Sequence, residues 1–183
     1  MKRTPLVVAA VIAAAALVEL AMGRTPICTC GRVTLWEGAV NSAENSQQLT
    51  DWYTFTHVIH GFLLFGATWL VGRRLPVGTR MVLATLVEAS WEVVENTSYV
   101  INRYREATIS LNYYGDSILN SMSDIVAMLV GFALARYLPL RWTIILAVTI
   151  ELVLGYMIHD NLTLNVLMLI YPLDAVRRWQ AGV

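Results

Sequence analysis

Residues 81–100 read MVLATLVEASWEVVENTSYV, a twenty-residue run that is apolar except for a repeating glutamate. A helix rises 1.5 Å per residue, so about 17–20 residues cross the roughly 30 Å hydrocarbon core of a bilayer. The run is therefore long enough to span a membrane, with Glu88, Glu92 and Glu95 inside the span. Their spacing of i, i+4 and i+7 sets all three on one helix face. Charged groups facing lipid cost several kcal/mol each, so this face must point into a bundle of helices.

Four further apolar runs flank it. Residues 5–22, 54–72, 117–135 and 142–158 are each long enough to span. The composition agrees: 57% of the 183 residues are hydrophobic and 14% charged, where soluble domains have about 45–50% and 25%. Mean hydropathy is +0.57. This excludes a disordered chain, most soluble enzymes and, at zero net charge, a nucleic-acid binder. We expect a single domain over residues 1–183, an all-α polytopic transmembrane bundle of about five spans. Residues 162–173 are apolar but too short to cross, and suggest a re-entrant or interfacial segment. A sixth, tilted span returning Arg177 and Arg178 to the cytoplasm is the alternative. The polar stretch 23–53 is an outer loop, long enough for a short helix over the bundle mouth.

Loop charges set the orientation. With the N-terminus cytoplasmic, the inner side receives Lys2, Arg3, Arg73, Arg74, Arg80, Arg136 and Arg141. The outer side receives Arg24, Arg32, Arg103 and Arg105, seven against four. Met1-Lys2-Arg3, the apolar run to Val18 and Ala21-Met22-Gly23 also suit a cleavable signal peptide. Glu19 inside that run argues against cleavage.

This orientation brings the ionisable residues to one depth. His57 and His60, spaced i, i+3, fall in the outer half of the second span. Glu92, Glu95, Asn120 and Asp124 fall in the outer halves of the third and fourth. Glu88 and Glu151 lie near the midplane, and Asp116, Glu19 and His159-Asp160 toward the outer surface. Glu88, Glu92, Glu95, Asp124 and Glu151 have no buried basic partner in the sequence, and bare anions cannot share a low-dielectric site. Either protons or cations must neutralise them. A divalent metal, zinc or manganese, held by His57, His60, Glu92 and Asp124 would do so. Glu95 or Glu88 would then be a general base for water activated by the metal. Arg103 and Arg105 could meet a lipid phosphate, and Asp116 and Asn120 complete the substrate-binding set. The other readings are interhelical hydrogen bonding in a non-catalytic assembly protein and a cation or proton transporter. Cys28 and Cys30 read as a free pair, because a bridge between residues two apart is strained. The sequon Asn96-Thr97-Ser98 abuts a span and is read as chance.

The strings Asp51-Trp-Tyr-Thr…His57-Val-Ile-His60, Trp91-Glu-Val-Val-Glu-Asn96, Tyr113-Tyr-Gly-Asp-Ser-Ile-Leu-Asn-Ser-Met-Ser-Asp124 and Asp160-Asn-Leu-Thr…Ile170 resemble a bacterial multi-pass inner-membrane family. That family is catalogued as a domain of unknown function. The resemblance covers nearly the whole chain and implies a plasma-membrane location without an activity. A looser likeness is to VanZ-like membrane proteins, associated with glycopeptide resistance. Asp51…His57, Glu88 or Glu92, and Asp116…Asn120 or Asp124…Gly131 are similar to their pattern, while His60 and the triple-glutamate stripe depart from it. The expectation is an enzyme site for a lipid or lipid-linked substrate, facing outward from the inner membrane.

Overall fold

The computed structural model describes residues 3–108 and 113–182. Lys2, one of the expected inner charges, lies outside the described residues. Among these residues there are eight helices and no strand: α1 Thr4–Ala21, α2 Thr54–Val71, α3 Val77–Glu95, α4 Ser98–Ala107, α5 Ile118–Tyr137, α6 Leu140–Ile158, α7 Leu162–Ile170 and α8 Asp174–Gln180. An isolated bridge pairs Glu37 with Asp51.

By length and composition, α1, α2, α5 and α6 are able to cross a membrane. Helix α3 has the same length, 19 residues, but Arg80 and its three glutamates keep it out of that apolar class. It packs among α1, α2 and α5. Apolar side chains such as Ile144, Ile145, Val148 and Leu152 on α6 stay exposed. A bilayer accepts such a face, whereas water would penalise it.

The third element differs from the expected 81–100. It starts earlier, at Val77, and stops at Glu95. Asn96 explains the stop. Its Oδ1 accepts the Asp116 backbone N–H at 2.7 Å, and its Nδ2 donates to Glu92 O, Asp116 Oδ2 and Ser121 Oγ, each at 3.1 Å. This knot ends α3, and Thr97 caps the separate helix α4 by accepting from Val100 N. Asn96 is buried in the knot, so the sequon presents no free amide. Arg80, expected in a loop, is instead buried in the first turn of α3, donating to Phe65 O at 3.1 Å.

The closest packing joins α2 to α5. A Cβ on Gly61 would strike the backbone of Met128, Gly131 and Phe132, and one on Gly131 would strike Val58 O. Only glycine permits this approach, as at small-residue crossings of membrane helices. Beneath it lies an apolar core of Ala15, Ala84, Ala89, Ile125, Met128 and Phe132.

At the far end of the chain, α7 has only nine residues, about 13 Å at 1.5 Å each. Asn161 caps its start by accepting from Leu164 N at 2.8 Å. Arg177 of α8 donates to the carbonyls of Glu106 and Ala107 at the end of α4. The tail therefore folds back beside α4 and makes no sixth span. The loop 23–53 forms turns rather than the short helix that its length allowed. It is laced to the start of α5: Ser117 N donates to Ser46 O, Ser117 Oγ to Gln47 O, Gln47 Nε2 to Gly115 O and Asn120 Nδ2 to Gln48 O.

The cysteines are not free as expected; Cys28 and Cys30 form a disulfide. A turn closed by Gly31 N donating to Cys28 O, with Gly31 at φ +77°, sets their Cα atoms 5.1 Å apart, an ordinary separation for a disulfide.

Candidate functional site

Polar side chains of α2, α3 and α5 meet at one place. Asp51 accepts from Ser46 N at 2.9 Å and Tyr53 N at 2.7 Å, which fixes the entry to α2. One turn on, His57 and His60 project from α2 with their rings 4.9 Å apart, edge to face. Glu88 of α3 lies between them: its Oε1 is 2.7 Å from His57 Nδ1 and 2.9 Å from His60 Nδ1. Glu92 Oε1 lies 3.3 Å from His57 Nδ1, and Asp124 Oδ2 of α5 lies 3.9 Å from His57 Nε2. Ligand atoms of His57, His60 and Glu88 lie close enough together to hold one metal ion.

A cavity of about 200 Å³ adjoins this group. Both histidines, Glu95, Asp116, Asn120 and Asp124 line it. Glu88 and Glu92 are buried behind that lining. Glu92 Oε1 and Asp124 Oδ1 are buried without a hydrogen-bond partner. Buried carboxylate oxygens are rarely left bare, and a bound cation is one way to satisfy them.

The expected site residues divide accordingly. His57, His60, Glu88, Glu92 and Asp124 converge, and Glu95, Asp116 and Asn120 share the cavity wall. Asn120 also ties down the outer loop. Arg103 and Arg105 are elsewhere. Arg103 Nε donates to Leu169 O at 2.9 Å, closing the end of α7, and Arg105 stacks over Tyr114. Glu151 is a helix cap, accepting from Leu162 N and Thr163 N at the start of α7. His159 packs against Trp179, and Glu19 is buried on α1 away from the cavity lining.

Several lining residues were not among the expected site residues. Tyr53, Tyr104, Tyr113 and Trp91 face the cavity, as do Asn45 and Asn165. Their signal was weak: Tyr104 falls with Val100, Ile101 and Ala107 on the buried face of α4, a pattern that also fits plain packing. Tyr113 donates to Asp116 at 3.2 Å, and Arg24 donates twice to the Asp116 carbonyl. Burial, reinforced by Asp51, pushes the Asp116 carboxyl up to about 7. Burial lifts Asp160, beyond α6, to about 6, against the hydrogen bonds from Asn161, Tyr53 and Asn165.

A family model described as "Protein of unknown function (DUF2585)" matches residues 19–182. The chain belongs to the DUF2585 family. A UPF0314 protein of Rhizobium meliloti is 58% identical over 94% of this chain and 88% of its own length. UPF0314 proteins of Paracoccus denitrificans and Novosphingobium aromaticivorans are 54% and 51% identical, over 94% and 92% of this chain and 90% and 88% of theirs. The match confirms the bacterial family and lends nothing to the looser VanZ likeness. No solved structure matches this DUF2585 chain. Its residues 3–18, most of α1, lie ahead of the stretch that defines the family, while the whole histidine–carboxylate group lies inside it.

Proposed function

We propose that this protein is a metal-dependent hydrolase of the bacterial inner membrane. It lies with the N-terminus in the cytoplasm and acts on a lipid or lipid-linked substrate from the outer side. One observation carries the reading: His57 and His60, with Glu88 behind them, gather at the wall of a cavity that Glu95 and Asp124 also face. The donor set, imidazole and carboxylate, suits zinc or manganese. The bare oxygens of Glu92 and Asp124 supply the charge that a cation would balance. A divalent ion held there supplies Lewis-acid activation of water. Glu95, on the cavity wall and outside the histidine–Glu88 group, takes the proton. The geometry thus favours Glu88 as a ligand over Glu88 as a base.

Two features support the orientation. The loop charges favour an inner N-terminus, and the Cys28–Cys30 disulfide suits a loop in an oxidising compartment. The lower half of the bundle supports an enzyme over a transporter. No ionisable side chain lies between Glu88 and Arg80 on α3, between His60 on α2 and Arg73 just beyond its end, or between Asp124 and Arg136 on α5. Arg80 stacks over Phe65, and Phe65 packs on Phe132.

The test uses total bacterial lipid extract as substrate, with products read by mass spectrometry. Protein stripped of metal and refilled with zinc or manganese should cleave a lipid class that stripped protein and Glu95→Gln leave intact. An unchanged lipid profile with refilled protein would overturn the reading.

A further inference from the structure

We infer that the cavity takes the head of a lipid whose head group is uncharged and bears hydroxyls, and that it rejects phosphate-bearing heads. This deepens the reading above and rests on the cavity being the substrate site. The first observation is a missing cation. Among the described residues, none lining the cavity is arginine or lysine, the side chains that normally meet phosphate. The outer arginines are engaged elsewhere: Arg24 by the Asp116 carbonyl, Arg103 by the end of α7, Arg32 by Glu44, and Arg105 over the Tyr114 ring. Glu95, Asp116 and Asp124 face the space, with Glu88 and Glu92 behind them. A phosphate would therefore meet carboxyl groups and find no basic side chain on the wall to pair with.

The second observation is what the cavity does offer. Asp124 and Asn120 line the cavity side by side on α5 and bring a carboxylate and an amide to its wall. Asn45 and Asn165 bring amides that donate and accept, and Trp91 brings a flat apolar face. Such a mixture suits a polyol. The volume, about 200 Å³, is below the roughly 300–1,000 Å³ of ordinary ligand pockets, so it holds a head and leaves the tail outside.

The third observation gives the tail a path. Leu162, Val166 and Leu169 of α7, at i, i+4 and i+7, form one apolar wall of the cavity. Val166 lines the cavity and is also 44% exposed, so the row leads from the cavity to the lipid-facing surface. An acyl chain lying along it keeps contact with apolar groups throughout.

The experiment reads binding, with full-length protein in phosphatidylcholine nanodiscs. A monoacylglycerol and a lysophosphatidic acid, each with the same dibrominated chain, quench tryptophan fluorescence. The difference between wild type and Trp91→Phe isolates Trp91. Saturable quenching of Trp91 by the monoacylglycerol, at least about tenfold tighter than by the lysophosphatidic acid, is expected. Val166→Ala, which shortens the apolar row without setting a charge against lipid, should weaken the monoacylglycerol by about threefold or more. Equal or tighter binding of the lysophosphatidic acid overturns the inference, as does the absence of saturable Trp91 quenching by either lipid. Metal content is measured on the same samples. A monoacylglycerol preference in metal-free protein keeps this inference and removes the metal from the reading above. Loss of the preference with metal present does the reverse.

Discussion

Glu88 Oε1 lies 2.7 Å from Nδ1 of His57, joining α3 to α2 at the wall of the cavity. The same oxygen lies 2.9 Å from His60 Nδ1, so one carboxylate holds two imidazoles that helical spacing alone would only place side by side. Glu88 is 2% exposed. Removing either partner strands a buried polar group, which is why the three should behave as a unit.

That unit is measurable. His57→Ala, Glu88→Gln and the double variant should show a coupling energy of about 0.5–3 kcal/mol in detergent unfolding, because each single change already breaks the group. Interhelical hydrogen bonds in membranes average only about 0.6 kcal/mol. Strictly additive losses would reduce the group to independent contacts.

The glycine crossing gives a prediction free of the site chemistry. Gly61→Ala and Gly131→Ala place a methyl group against backbone of the facing helix. Each should cost about 1–3 kcal/mol or more by overpacking, read as a fall in melting temperature. Gly66→Ala, on the same helix with open space around it, should be neutral or slightly stabilising by helix propensity.

Helix α7 is clasped at both ends, by Glu151 at its N–H groups and Arg103 at its carbonyls. Glu151→Ala should cost about 0.5–2 kcal/mol, as for a lost helix cap. The loss should appear as faster amide hydrogen exchange in 162–170. Unchanged exchange there would show that α7 is held by apolar packing alone.

Stability should fall as pH rises. Asp116 and Asp160 titrate near 7 and 6 in the folded protein, above the ordinary 3.9 or so of an unfolded aspartate. The folded state then binds more protons than the unfolded one between about pH 4 and 7, so ∂ΔG/∂pH is negative there. The stabilising contribution is complete below about pH 4 and disappears as pH passes 6 to 7. Melting temperature should drop between pH 5 and pH 8, and Asp160→Asn should flatten the lower part of that drop. A rising curve would contradict the burial that lifts these groups.

The glutamate stripe, the histidine pair and their common depth were legible in the sequence because they are periodic within single helices, and periodicity is local. The end of α3 was not. Asn96 stops the helix through Asp116 and Ser121, 20 and 25 residues away, and nothing near Asn96 announces it. Arg103 and Glu151 misled for the same reason: one reads as a phosphate ligand and the other as a site acid until α7 folds between them. The α2–α5 crossing was hidden because Gly61 and Gly131 sit on different spans, each ordinary in its own helix.

The most direct measurement is the metal content of the purified protein, by elemental analysis after dialysis, beside Glu88→Gln. The account predicts close to one zinc or manganese per wild-type chain and most of it lost in the variant, with partial recovery of stability in excess metal by mass action. A folded, stable wild-type protein without metal would contradict it, leaving protons to neutralise the carboxylates around His57 and His60.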